Sequence, residues 1–289
     1  MDEFFSALWS GLMIGSLYAI MAIGLTVIYG VSRIFNFAHG HVALIGGYMT
    51  WLIGVEVGAG FFPGLLVALA VMVPLGWATY QWGVRPLMRR KEADFATLLL
   101  TLGLAIIVQF ALLEIFGPRV KALPEFFSGS VNLWFGPISY HELSLVVISV
   151  AIMAGIWAFM TRTSLGRAMR GVASSVHGAR IVGIDTNRVY GLTFALAFVL
   201  TGVSGVLLGT HSYMTPAIGW DWMIKGFIIV VFGGLGSIPG AILAAFTLGV
   251  IETMVTLYAG SLWIWPAWLA VFVLVLTLRP QGILGGRTA

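Results

Sequence analysis

The side chains with chemical potential in this sequence are few and widely spaced. His39 and His41 form an HxH pair close to Asn36. Histidines two apart point to different sides of a helix, and no cysteine or carboxylate lies nearby in sequence, so a tetrahedral metal set is not expected. The polar segment 31–41 interrupts an apolar run. Asn36, His39 and His41 suit the satisfaction of backbone groups freed where a helix breaks. Asn36 and His39 are also candidates for lining a translocation path, because irregular backbone at membrane depth is tolerated mainly against protein or a cavity. Glu252 is the one acid deep in an apolar stretch, and Glu114 lies near the end of another. Intramembrane acids are functional candidates by default. Proton coupling, however, calls for more of them and for a basic or histidine partner in another span. The other reading of Glu252 is an interhelical hydrogen bond or a position near the outer surface. The glycine-rich run 233–240 (GGLGSIPG) lacks the GK[ST] ending of a phosphate loop. Its glycines suit a sharp reversal or close packing between half-helices, and Gly233, Gly234 and Gly236 join the candidates for the path. No nucleotide fingerprint and no convergent nucleophile, base or metal set occurs, so the chain is not expected to be an enzyme or to bind a cofactor itself.

These residues must be positioned by membrane helices. The chain is 60% hydrophobic and only 9% charged, against about 25% charged in soluble domains. It has no cysteine, which excludes a disulfide framework and a thiolate metal site. Met1, Asp2 and Glu3 are acidic overall where a signal peptide is basic, so a cleavable leader is not expected. A span takes about 20 apolar residues. The apolar runs lie near 6–29, 42–57, 62–82, 95–116, 141–160, 190–210, a short one ending at 232, 241–258 and 263–278. In the first, Gly11 and Gly15 make a small-xxx-small step suited to close helix contact. Pro74 marks a kink in the third. The run ending at 232 spans only if it starts near 217, and then Asp221 and Lys225 must be buried. Segment 117–140 reads as an external loop. Trp220, Trp222, Trp263, Trp265 and Trp268 read as an interfacial aromatic belt. The expected fold is all-α: one polytopic transmembrane helical bundle over 1–289, of about nine spans. Eight or ten follow if the short runs are broken or re-entrant.

Charge sets the orientation. With nine crossings and the N-terminus outside, twelve of the 15 basic residues fall on the cytoplasmic side: Arg33, Arg85, Arg89, Arg90, Lys91, Arg162, Arg167, Arg170, Arg180, Arg188, Arg279 and Arg287. Basic residues spread along membrane edges in this way do not make a nucleic-acid patch. Five of them lie in the long polar segment 162–189. There Leu165, Ala168, Met169, Val172, Val176, Ala179 and Val182 describe one apolar helical stripe, opposite Arg167, Arg170, Ser174 and His177. Two readings fit: a helix that docks a soluble partner, or a basic helix resting on anionic lipid.

Several motifs together resemble one family. Residues 15–30 (GSLYAIMAIGLTVIYG) and 33–40 (RIFNFAHG) are similar to the start of the branched-chain amino acid ABC transporter permeases. Residues 166–170 (GRAMR) and 182–189 (VGIDTNRV) resemble their central cytoplasmic loop, 225–240 (KGFIIVVFGGLGSIPG) their late glycine motif, and 279–285 (RPQGILG) their C-terminal motif. The likeness is to the shorter, high-affinity permease type and covers nearly the whole chain in order. It implies an importer subunit in the bacterial inner membrane, with N-terminus outside and C-terminus cytoplasmic. It implies that loop 162–189 holds a coupling helix in a groove of a cytoplasmic ATPase, with Gly166, Arg167, Ala168, Arg170, Gly183 and Ile184 at the coupling contact. ATP and magnesium would reside on the ATPase subunits. A second, homologous permease subunit and an extracytoplasmic substrate-binding protein would complete the assembly. The middle of the loop, 173–179 (ASSVHGA), lacks the acidic residue that many relatives carry there. The family spans branched-chain amino acids, related small amino acids, urea and short amides. The competing class is a self-contained secondary carrier or channel for a small neutral solute.

Overall fold

The computed structural model describes residues 2–285; Met1 and Arg287, used above, lie outside them. The bundle is built around α1 (Asp2–Ser32), in whose most apolar stretch 89% of residues are buried within the protein. Thirty-one residues rise about 45 Å, enough to cross a bilayer. α1 pairs with α11 (Ile238–Ala259) through the expected small-residue step. A methyl added at Gly249 would meet the Cα and N of Gly15 at 2.7 Å, so only glycines allow these backbones to approach so closely. α9 (Thr186–His211) is the second core helix, 78% buried over its apolar stretch. It crosses α2 (His39–Trp51), where a methyl at Gly46 would lie 2.5 Å from the Cα of Gly202.

The outer helices show the opposite pattern. α3 (Phe61–Ala78) contains Pro74 and runs on through a π-helical turn, Thr79–Val84, into the short α4 (Arg85–Leu87). This span, α5 (Ala93–Phe116) and α12 (Ile264–Leu278) are apolar yet at most 22% buried over their apolar stretches. Apolar side chains left on the outside of a bundle are what lipid contact requires. α6 (Tyr140–Arg162) starts where the Ser139 hydroxyl accepts from the His141 amide at 3.1 Å. The segment before it is not a plain loop. β1 (Ser130–Leu133) and β2 (Gly136–Ser139) form an antiparallel hairpin there, with Ser130 opposite Ser139.

Among the described residues, seven helices are long and apolar enough to cross a membrane. The two remaining apolar runs are short. α2 has 13 residues extended by the π turn Leu52–Glu56, and α10 (Gly219–Gly233) has 15. At 1.5 Å per residue α10 rises about 22 Å, less than the ~30 Å of a hydrocarbon core. It therefore does not need to start at 217. Asp221 sits exposed in its first turn, and only Lys225 is drawn inward.

Two expectations need correction. The basic segment is two helices rather than one. α7 (Ser164–Ser174) and α8 (Val176–Ile181) are separated by Ser175, whose backbone is extended and whose hydroxyl accepts from the Gly178 amide. A serine that caps a new helix start competes with continuation of the old one. The five tryptophans also do not form one belt. Trp263 is exposed, but Trp222 and Trp268 are buried, and the Trp220 indole donates to Gln109 at 2.7 Å.

Candidate functional site: a buried ion pair and the basic loop

Four helices contribute to one polar cluster inside the bundle. Lys225 of α10 pairs with Glu252 of α11 at 2.7 Å, both side chains nearly excluded from solvent. The Lys225 ammonium also donates to the Tyr18 hydroxyl of α1 at 2.7 Å. Tyr18 in turn donates to Glu252 at 3.1 Å, as does the Trp268 indole of α12 at 3.1 Å. The ammonium lies 5.0 Å and 5.3 Å from the ring centres of Tyr18 and Trp268, close enough for cation–π attraction. A charge in this setting persists only when paired and hydrogen-bonded, and removing one partner of such a pair costs about 3–5 kcal/mol. Glu252 thus makes interhelical hydrogen bonds, and it also has the basic partner that sequence reasoning missed.

The cluster borders a cavity of about 340 Å³, lined also by Asp221, Ser212, Ile218 and Trp265. Glu252 reaches a second, larger recess of about 610 Å³ beside Ser6, Ser10 and Phe135. Both lie toward the α1 N-terminus. Tyr18 is about 20 Å along α1 from Val31, and Val31 lines a third cavity of about 270 Å³, next to α7.

His39 is wholly buried. Its Nε2 lies 2.8 Å from the Met21 carbonyl of α1, which only accepts, so this nitrogen carries the proton. The ring also lies against Thr201 of α9. Its place is a pin between α1, α2 and α9. Asn36 accepts from the Ala38 amide at 3.1 Å, the local capping expected of it, while its amide nitrogen has no partner among the described residues. His41 hydrogen-bonds no freed backbone group among the described residues. It packs edge-on against Trp220, and the Phe35 carbonyl is served instead by Thr101.

The glycine run makes the α10–α11 reversal. Gly234 and Gly236 have φ of +103° and +86°, a left-handed backbone that favours glycine. A methyl on Gly233 would strike the backbone of Gly240 and Ala241, and one on Gly236 would meet Gly30 of α1 at 3.3 Å. The segment 281–285 closes over this turn. Ile283 and Leu284 donate their amides to the Phe232 and Gly233 carbonyls at 2.9 and 3.1 Å, satisfying the end of α10.

α7 lies against α1 and α6, and its expected stripe is present. Met169, Val172 and, on α8, Ala179 are buried, whereas Arg167, Arg170, Ser174 and His177 are exposed. Val182 leaves the stripe and is 73% exposed beside Ile181. Thr163 caps α7 by accepting from Gly166, and Asp185 caps α9 by accepting from Asn187 and Arg188. Gly166 sits where a methyl would meet the Met160 carbonyl oxygen at 2.5 Å. Ala168 is half-buried, Ile184 folds back toward α7, and Gly183 turns with φ of +82°.

An all-α bundle of long apolar helices, with a capped basic loop laid across its end, is a multi-pass membrane protein. The profile of the family described as branched-chain amino acid transport system, permease component, matches residues 7–278, and the chain belongs to that family. It is 32% identical over 300 residues to the high-affinity branched-chain amino acid transport system permease protein LivH of Salmonella typhimurium, covering 98% of this chain and 96% of that one. It is 33% identical over 299 residues to BraD of Pseudomonas aeruginosa, with the same coverage. Among solved structures, PsaBC from Streptococcus pneumoniae in complex with Fab aligns over 97% of this chain and 91% of that one, with TM-score 0.48 and 14% identity.

Proposed function

We propose that this chain is the membrane-spanning permease subunit of an ABC importer for branched-chain amino acids or a related small amino acid, urea or amide. The observation that carries the reading is the family match along nearly the whole chain. In this reading α7 is the coupling helix. Its buried stripe grips α1 and α6, and its exposed face offers Arg167 and Arg170 to a partner. ATP and magnesium then belong to cytoplasmic ATPase subunits, whose closure moves α7 and with it the spans. A second, homologous permease subunit and an extracytoplasmic binding protein complete the assembly. By charge bias the α7–α8 loop faces the cytoplasm of the bacterial cell and the α1 N-terminus faces outside. The buried Lys225–Glu252 pair is of the kind an ion-coupled carrier would need, so the test includes this chain alone.

The experiment is reconstitution into vesicles with the partner permease, the ATPase subunits and a panel of liganded binding proteins. ATPase stimulation by one liganded binding protein, with uptake of its ligand, is the expected result. Uptake by this chain alone under a proton gradient, with no stimulation, would overturn the importer reading.

A further inference from the structure

We infer that the cavity beside Lys225 is a binding station for the charged head of an apolar α-amino acid on its way through the protein. The inference rests on the importer reading for the direction of traffic, and on the side chains for its chemistry. An ammonium carries three N–H donors. Lys225 gives one to Tyr18 and one to Glu252, leaving one without a partner among the described residues, on a side chain that lines the cavity. Asp221 stands one turn earlier on α10, lines the same cavity and forms no ion pair among the described residues. Residues four apart lie on one face of a helix, with Cβ atoms about 5–6 Å apart.

A cation and an anion that line one cavity suit a ligand whose own opposite charges are joined through one carbon. The ligand carboxylate takes the open Lys225 proton, and its ammonium donates to Asp221. Glu252 is then no counter-charge to be displaced. It stays held by Tyr18 and Trp268 and remains the ion-pair partner of Lys225. Much of the remaining wall is apolar, with Leu208, Ile218 and Ile264, and suits an aliphatic side chain. At about 340 Å³ the cavity lies at the small end of the usual ~300–1,000 Å³ for ligand sites. An uncharged solute would leave the third Lys225 donor, on a nearly buried side chain, unmatched.

The test is leucine uptake per ATP hydrolysed by the complete reconstituted assembly. It compares the wild type with Asp221→Asn and with the double variant Lys225→Met/Glu252→Gln. The double variant removes both charges together, so a pair that is only structural predicts ordinary transport. The inference predicts that each variant loses about tenfold or more, the value of one charge-assisted hydrogen bond. Uptake within twofold of wild type by either variant overturns it. If the double variant does not assemble with its ATPase subunits, Asp221→Asn alone decides, since Asp221 is exposed and supports no packing. Failure of the importer reading looks different: there the wild type itself shows no binding-protein-stimulated uptake.

Discussion

The contact between α7 and α6 makes Gly166→Ala a sharp test of how the basic loop communicates with the spans. The added methyl would meet two carbonyl oxygens of the last turn of α6, those of Phe159 and Met160, the latter at 2.5 Å. Both are backbone atoms, so no side-chain rotation relieves the clash. Restoring ordinary contact requires α7 to lift from α6 by roughly 1 Å, and overpacking of this kind costs about 1–3 kcal/mol. Spent on one docked pose, that energy shifts the coupling by about 5- to 150-fold. The reconstituted assembly should therefore hydrolyse ATP while moving far fewer substrate molecules per ATP. Gly171→Ala is the internal control. It lies on the same helix, but its methyl would find only the Ile184 side chain at 3.7 Å, an ordinary contact. Alanine there should be tolerated and should favour the helix by up to about 1 kcal/mol. Equal transport-to-ATP ratios for Gly166→Ala and Gly171→Ala would refute the claim that close α7–α6 docking transmits motion.

Three further predictions concern the bundle. Gly46→Ala forces the Gly202 backbone of α9 away from a 2.5 Å approach; a loss of about 1–3 kcal/mol should show as earlier thermal unfolding in detergent. Trp268→Phe keeps the ring but removes the indole donor to Glu252; about 1.5–3 kcal/mol of stability should go with it, and unchanged thermal stability would mean that this hydrogen bond matters little. The chain lacks cysteine, so single cysteines report sidedness directly. Ser128→Cys should react with an impermeant maleimide in intact cells and Ser174→Cys only after permeabilisation, and the reverse pattern would invert the orientation.

Much of this architecture was legible because it rests on local periodicity. Gly11 and Gly15 announced a close helix contact, and they touch α11. The alternation of Met169 and Val172 with Arg167 and Arg170 gave both the buried and the exposed face of α7. The break at Ser175 was also local, a capping serine three residues before Gly178, but an unbroken apolar stripe masked it. Other features had no local signal. Lys225 and Glu252 lie on different helices, and nothing in either stretch sets their relative rotation. The clue was two lone charges of opposite sign in consecutive apolar runs, which at membrane depth have reason to pair. Trp268 looked interfacial because tryptophan at a span end usually is; inside the bundle its ring packs against Tyr18 and its indole donates to the Glu252 carboxylate. The 279–285 motif acquired a physical role only when the open carbonyls of Phe232 and Gly233 were seen beneath its end.

The burial of α1 has a consequence for how the protein is made. The helix that the finished fold encloses most completely precedes both of its main neighbours, α9 and α11, in the chain. During synthesis, at about 5–20 residues per second, it must wait in the bilayer with Gly11 and Gly15 facing lipid or the insertion machinery. Lipid tails tolerate its apolar surface, but Tyr18 then has neither Glu252 nor Lys225 to satisfy it. Assembly of this permease is thus a late event, in which the first span is gathered in by the last ones.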